Sequence, residues 1–339
     1  MDVQGRMDIT YLFRRRPGAF SIERVFAPVI EQLRQQGLDI RTAQVPGESG
    51  SFRNVLRNLA WSRRIQAELL HVTGDVNYCI LGHQAQVAVL TLHDFGFLTH
   101  LHGLKRWLVK KLWVDWPVRR SDAITCVSEQ TRAELLGLTA VDPAKVVVIP
   151  NPVHPQFARR DKDFLTACPR ILHFNVTPNK NLLRTAAALQ GITCHLRVIG
   201  AVTTEQRQEL ERRRVDFSCV QNLDDRQLVG EYDQCDLLCF PSTSEGFGLP
   251  VLEAQAVGRP VLASRVAPLP EVGGAEGACY VDPLDTASIR AGLLRILSDH
   301  DYRVRLVAAG HANARRFQVA GIARQYADLY ARLLAGRRP

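Results

Sequence analysis

Glu245, Gly246, Gly248 and Glu253 fall within one window, SEGFGLPVLEAQAVGRPVLAS (residues 244–264), and have the types and spacing to hold a phosphorylated ligand. The window follows an apolar run, DLLCFPS, so it reads as a buried strand, a polar turn and a helix that begins near Gly248. Pro250 then sits in the first turn, where its missing N–H costs nothing. Ligands of open parallel sheets bind outside the carboxyl ends of the strands. First-turn N–H groups and the positive end of the helix dipole favour a phosphate there, and Gly246 and Gly248 let the backbone approach it closely. On one continuous helix Glu245 and Glu253 would stand about 12 Å apart in rise, beyond the roughly 5 to 10 Å of paired glycosidase carboxylates. They are therefore read separately, Glu245 in the loop and Glu253 in the first or second helical turn. Two carboxylates flanking one phosphate site fit a ligand with hydroxyls on both sides of a diphosphate, as in a nucleotide sugar.

The elements that must position this window follow from the alternation of short β-branched runs with longer amphipathic stretches, the pattern of a parallel sheet with crossover helices. In the first half the expected strands are MDITYLF, LDIRTAQV, ELLHVT, VAVLTL, AITCVS and KVVVIP, and in the second RILHFN, HLRVIG, VDFSCV, DLLCFPS, PVLAS and ACYV. Their near-continuous hydrophobicity predicts burial on both faces. SIERVFAPVIEQLRQQG reads as a helix with Ser21 as N-cap and Gly37 as its stop. Between the halves, IPNPVHPQFARRDKDF has the prolines, charge and lack of period of a linker. The expected organisation is a Rossmann-like domain over residues 1–155, a second over 165–315, and a C-terminal helix over 316–339 that packs back towards the first. Neither half carries G-x-G-x-x-G after a strand or a G-x-x-x-x-G-K-[ST] loop, so a nucleotide would be held by another device.

Composition narrows the class. A chain of 339 residues that is 46% apolar can build two cores. No run approaches the roughly 18 apolar residues of a membrane span, and the apolar run at the N-terminus is too short for a secretory leader, so a cytoplasmic protein is expected. Eight scattered cysteines lie mostly inside apolar runs, and no C-x-x-C pair or neighbouring histidine completes a metal or redox site. The formal net charge of +9 suits anionic partners. Nucleic acid is the weaker choice among them, because the basic residues are dispersed and no nucleic-acid-binding motif accompanies them.

Residues Pro241–Ser264 resemble the E-x7-E region of glycosyltransferase family 4, retaining enzymes of the GT-B fold, in which two Rossmann-like parallel-sheet domains face each other across a cleft. ITCVSEQTRAELL, VVVIPNPV, TPNKNL, CDLLCFPS, PEVGG and VDP extend the likeness, in order, over most of the chain. The resemblance implies that Glu253 binds the ribose of the nucleotide and that Glu245 lies near the donor sugar. The backbone Gly246–Phe247–Gly248–Leu249 would hold sugar and distal phosphate. Lys180, in the strand-to-helix loop NVTPNKNLL, resembles the lysine on the donor diphosphate. His93, at the end of VAVLTLHDF, resembles the histidine against the donor sugar, with Asp94 orienting it or capping the next turn. Gly18, in GAFSIE, resembles the loop glycine that approaches acceptor and donor. Asn175 stands near the family's glycine position and no arginine accompanies it, leaving Arg197 and Arg226 as conceivable second cations. A nucleoside-diphosphate sugar is then the donor substrate, with no cofactor and no metal, and D-x-D at Asp161–Asp163 is a chance match in the linker.

The acceptor is implied to be a glycan or a lipid-linked glycan in cell-surface polysaccharide or glycolipid assembly, with mannose one candidate sugar. LHGLKRWLVKKLWVDWPVRR interleaves Lys and Arg with Trp107, Leu108, Leu112, Trp113 and Trp116. That pattern fits either peripheral contact with an anionic membrane or, as the preferred expectation, a helix packing its Trp/Leu face on the first sheet. His100 and His102 read as loop residues. The rival readings are a nucleotide-sugar epimerase or phosphorylase on a similar scaffold, and a non-catalytic binding or scaffold protein that keeps the fold.

Overall fold

The apolar runs become strands wherever two neighbours can bury them. The computed structural model describes residues 7–15, 21–48 and 51–336. It divides into two compact units, Met1–Pro152 with Val319–Pro339, and Val153–Gln318. In the first unit the strands are β1 (Asp8–Arg15), β2 (Asp39–Glu48), β3 (Leu69–Val72), β4 (Val87–Leu92), β5 (Ala123–Cys126) and β6 (Val146–Val148). They form one sheet in the order β2-β1-β3-β4-β5-β6 with every pairing parallel. β3, β4 and β5 are buried at every residue, as continuous rather than alternating hydrophobicity requires. Register places Leu12 beside Val72 and Leu92 beside Cys126, so these strands end along one edge. The order reverses between β1 and β3, the position at which open parallel sheets bind ligands.

Ser21 is the first residue of the helix Ser21–Gln35 rather than the residue before it, and Gly37, at φ 91°, ends that segment as expected. The C-terminal helix Val319–Ala335 belongs to the first unit and begins after a short 3-10 turn at Arg315–Phe317, not at residue 316. Its buried Ile322, Ala323, Tyr326, Leu329 and Tyr330 recur at three and four residues, one face of an amphipathic helix. The Tyr330 hydroxyl lies 2.6 Å from both the Tyr11 hydroxyl and His71 Nδ1; His71 Nε2 lies 2.7 Å from Thr91 Oγ1, which meets Thr125 Oγ1 at 2.6 Å. This fully buried chain ties the helix to β1, β3, β4 and β5. Burial lowers the His71 pKa to about 3, so the imidazole stays neutral.

In the second unit the strands are β7 (Arg170–Phe174), β8 (His195–Ile199), β9 (Asp216–Val220), β10 (Leu237–Phe240), β11 (Val261–Ser264) and β12 (Cys279–Val281). The order is β12-β11-β10-β7-β8-β9, again all parallel. The chain therefore builds outward from β7 in one direction and from β10 in the other. The reversal lies between β7 and β10, and their two following loops carry Lys180 and Glu245. The fold is the one expected, two six-stranded parallel sheets with crossover helices and a helical C-terminal segment.

Candidate functional site

Local hydrogen bonding shapes the loop after β7. Asn175 is left-handed at φ 66°, and its Oδ1 accepts from the backbone N–H groups of Val176 (2.7 Å) and Thr177 (3.3 Å). One 3-10 turn, Pro178–Lys180, follows and stops at Asn181, also at φ 66°. The Asn181 amide donates to the carbonyls of Pro241 (3.0 Å) and Pro283 (2.6 Å), and that of Asn179 to the carbonyl of Ser244 (3.0 Å), while Thr243 N–H donates to the Asn179 carbonyl (2.8 Å). Three of these bonds fasten the loops after β7 and β10 to each other, and the fourth ties Asn181 to the segment after β12. The consequence is an ion pair that spacing alone does not reveal: Lys180 Nζ lies 2.5 Å from Glu245 Oε1, with side chains only 16% and 11% exposed. The ammonium also stands 4.9 Å from the centre of the Phe240 ring, a cation–π contact. Behind it His173, fully buried in β7, has its pKa lowered to about 4, first by burial and then by the charge on Lys180.

The helix of the opening window runs Leu249–Val257, with Gly248 as its N-cap at φ 107° and Pro250 in the first turn. A Cβ on Gly248 would meet Leu269 Cδ2 at 2.4 Å, so glycine is required by space as well as by φ. Phe247 is buried and sets its ring edge-on to Phe317 at 6.1 Å, which anchors the turn from behind. Leu249 and Gly246 are half-buried. Glu253 falls in the second turn and is 4% exposed; the Tyr232 hydroxyl donates to its Oε2 at 2.6 Å. Tyr232 is itself wedged between Phe174, stacked at 5.7 Å, and Phe157, edge-on at 5.4 Å. Tyr232 is thus a partner of Glu253 that the sequence did not single out, since a tyrosine in an amphipathic helix reads as core. Arg197 does not supply a second cation to the site: it forks onto Glu231, at 3.0 and 2.7 Å, and shares that carboxylate with Arg170 at 2.7 Å. Arg226 is exposed at the second position of the helix Asp225–Gln234.

In the first unit His93 follows β4, and its Nε2 lies 2.8 Å from the Thr73 carbonyl. Burial, the leading cause, lowers its pKa against the opposing effects of that bond and of Asp94, which favours the neutral ring. Asp94 caps rather than orients: its Oδ1 accepts from Gly96 N–H at 2.9 Å. His93 lines a cavity of about 700 Å³ whose wall includes Arg14, Asp75, Phe52, Leu101 and Trp113. Gly18 lies outside the described residues. His102 precedes the helix Gly103–Lys110 and His100 is in the loop before it.

The Trp-rich segment divides. Trp113 packs edge-on to Tyr78 at 4.8 Å and donates to the Asp75 carbonyl at 2.8 Å, and Val114 is buried. Lys110 and Lys111 both pair with the Asp115 carboxylate, at 2.7 and 2.8 Å, and hold its pKa low although burial opposes them. No residue of Gly103–Lys110 is buried, and Leu104 (78%) and Trp107 (54%) are exposed. Packing on the core therefore holds for Val109, Leu112, Trp113 and Val114, whereas Leu104, Trp107, Leu108 and Trp116 remain exposed. Among the described residues no three His, Cys, Asp or Glu side chains gather as a metal would need, and no helix is long and apolar enough to cross a membrane.

Known proteins match this arrangement unit by unit. The family described as glycosyltransferase family 4 matches residues 7–157, and glycosyl transferases group 1 matches residues 165–299. The serotype-specific mannosyltransferase WbdA of Escherichia coli is 28% identical over 239 residues, covering 63% of this chain and 29% of its own. O-antigen chain mannosyltransferase B of Escherichia coli is 39% identical over 106 residues, 31% of this chain and 28% of its own. This chain thus spans less than a third of either relative. In three dimensions it is similar to sucrose-phosphate synthase from Thermosynechococcus elongatus, with a TM-score of 0.79 over 98% of this chain and 100% of that one at 20% identity, a likeness of fold. With one family match on each unit, in the order of the chain, this protein belongs to the family 4, group 1 glycosyltransferases.

Proposed function

We propose that the chain is a retaining, metal-independent glycosyltransferase that moves a sugar, mannose being the first candidate, from a nucleoside diphosphate to an acceptor hydroxyl. The observation that carries this reading is the Lys180–Glu245 pair, 2.5 Å apart at the switch point of the second sheet and beside the N-terminus of the helix Leu249–Val257. A donor diphosphate placed there takes Lys180 and the first-turn N–H groups as partners. Glu245, released from Lys180, then turns to the hydroxyls of the sugar, and Glu253, held by Tyr232, to the ribose. The anomeric carbon–phosphate oxygen bond breaks as the bond to the acceptor oxygen forms on the same face. The acceptor's proton passes to the departing phosphate oxygen. The charge that develops on that diphosphate is what a fixed lysine and a helix N-terminus stabilise, so the reading requires no metal. The mannosyl preference rests on two relatives named as mannosyltransferases.

The acceptor side is assigned to the cavity beside His93, with a glycan or lipid-linked glycan as its occupant. Exposed Leu104 and Trp107, with Lys105 and Arg106 beside them, fit peripheral contact with an anionic membrane surface. Eight cysteines without a disulfide suit a reducing compartment, the cytoplasmic side of such a membrane.

The test is a panel of uridine and guanosine diphosphate sugars, scored for thermal stabilisation and for slow hydrolysis of the donor. Glu253→Ala is expected to weaken nucleotide binding about tenfold or more, and Glu245→Ala to lower turnover with binding largely kept. Equal and negligible effects of both would refute the assignment. A panel in which nothing binds and nothing is hydrolysed would leave a scaffold protein that keeps the fold.

A further inference from the structure

The ring of His93 is held by its neighbours in a way that fixes what it can offer a ligand. Its Nε2 faces the Thr73 carbonyl at 2.8 Å, and a carbonyl only accepts, so the proton of the neutral ring is on Nε2. Nδ1 has no partner among the described residues, which leaves it as a hydrogen-bond acceptor. The carbonyl itself is placed firmly, because the Thr73 N–H and hydroxyl both donate to the Leu12 carbonyl, at 3.1 and 2.9 Å. Gly74 comes next, at φ +117°, where side chains are strained. A Cβ there would stand 2.7 Å from His93 Cδ2 and 3.1 Å from Nε2, so the ring occupies the space that the missing side chain leaves. Phe26 closes another side of the ring, edge-on at 6.3 Å. The charged and titratable groups around it are Arg14 on β1, His71 on β3, Asp75 after Gly74, and Asp94.

We propose that Thr73 and Gly74 are positioning residues for His93: they lock its imidazole as the Nε2–H tautomer, so that Nδ1 receives a hydrogen bond from a ligand hydroxyl and the ring donates none. The ligand part of this inference rests on the transferase reading above; the tautomer does not. A histidine so held orients a sugar or acceptor hydroxyl as an acceptor group, and its own proton stays out of the reaction.

The experiment has two arms. In the first, the protein labelled with 15N-histidine is examined by NMR at neutral pH, the His93 resonances being assigned by their loss in His93→Ala. The expected pattern is a protonated Nε2 and a bare Nδ1, and Gly74→Ala shifts it towards the other tautomer. A wild-type His93 found as Nδ1–H, or as the imidazolium, overturns the proposal without recourse to any variant. In the second arm, donor turnover is measured for Gly74→Ala, His93→Ala and the double variant, each checked for an intact thermal transition. Gly74→Ala alone is expected to lower kcat/KM about a hundredfold, the scale of a misplaced group. In the His93→Ala background it should add less than about threefold, because the ring it collides with is gone. An equal loss in both backgrounds would make Gly74 merely structural and overturn the positioning role. If no donor is turned over at all, the transferase reading fails, and the spectrum still decides the tautomer.

Discussion

A carboxylate buried as deeply as Glu253 is unfavourable unless donors face it, and the Tyr232 hydroxyl at 2.6 Å is one of them. Tyr232→Phe removes that donor and keeps the ring between Phe174 and Phe157. A hydrogen bond to a charged group is worth about 1.5 to 3 kcal/mol. Nucleotide affinity, measured by calorimetry, should therefore fall about tenfold while the packing is retained. Unchanged affinity would show that Glu253 is aimed by other contacts. The two glutamates were legible in the sequence because glycines and a proline frame them. Tyr232 was not, since its role arises only when the helix Asp225–Gln234 lies against the helix Leu249–Val257. The direct bond between Lys180 and Glu245 was hidden for the same reason, as the two residues belong to loops 65 positions apart in the chain.

At the scale of elements, the loops after β7 and β10 are fixed by three bonds between them, and the helix Gly103–Lys110 has no fully buried residue and touches the core through Val109. The period of that helix was readable from the sequence, but its surroundings were not, because tryptophan and leucine interleaved with lysine fit a sheet-packed helix and an interfacial one alike. The Leu104→Ser, Trp107→Ser, Leu108→Ser triple variant should lose most of its co-sedimentation with phosphatidylglycerol vesicles. Its melting temperature should stay within a few degrees of the wild type, as expected of exposed positions. Wild-type binding should also weaken as salt is raised. Wild-type protein that stays in the supernatant at low salt would rule the membrane contact out.

Across the whole molecule, each unit fully buries a neutral histidine within a strand, His71 in the first and His173 in the second. Their folded-state pKa values, about 3 and about 4, lie below the ordinary 6.5, so below pH 6.5 the unfolded chain binds more protons than the folded one. Stability contributed by the neutral rings is thus fully present above pH 6.5 and is lost as pH falls, down to about 4 for His173 and about 3 for His71. The slope approaches about 1.4 kcal/mol per pH unit for each histidine. Urea midpoints measured between pH 7 and pH 4 should fall accordingly, and His173→Leu should flatten the part of the curve that reports on the second unit. An unaltered slope in that variant would assign the acid sensitivity elsewhere. What the sequence by itself determined was the twelve strands seen among the described residues, the parallel class of both sheets and the place of the candidate anion window, because hydrophobic period, glycine and proline act locally along the chain. Only the tertiary structure decided that Lys180 pairs with Glu245, that Tyr232 aims Glu253, that Arg197 is spent on Glu231 and that Gly74 makes room for His93. Strand order brings those residues together, and strand order is set by the packing of whole sheets, which no local spacing records.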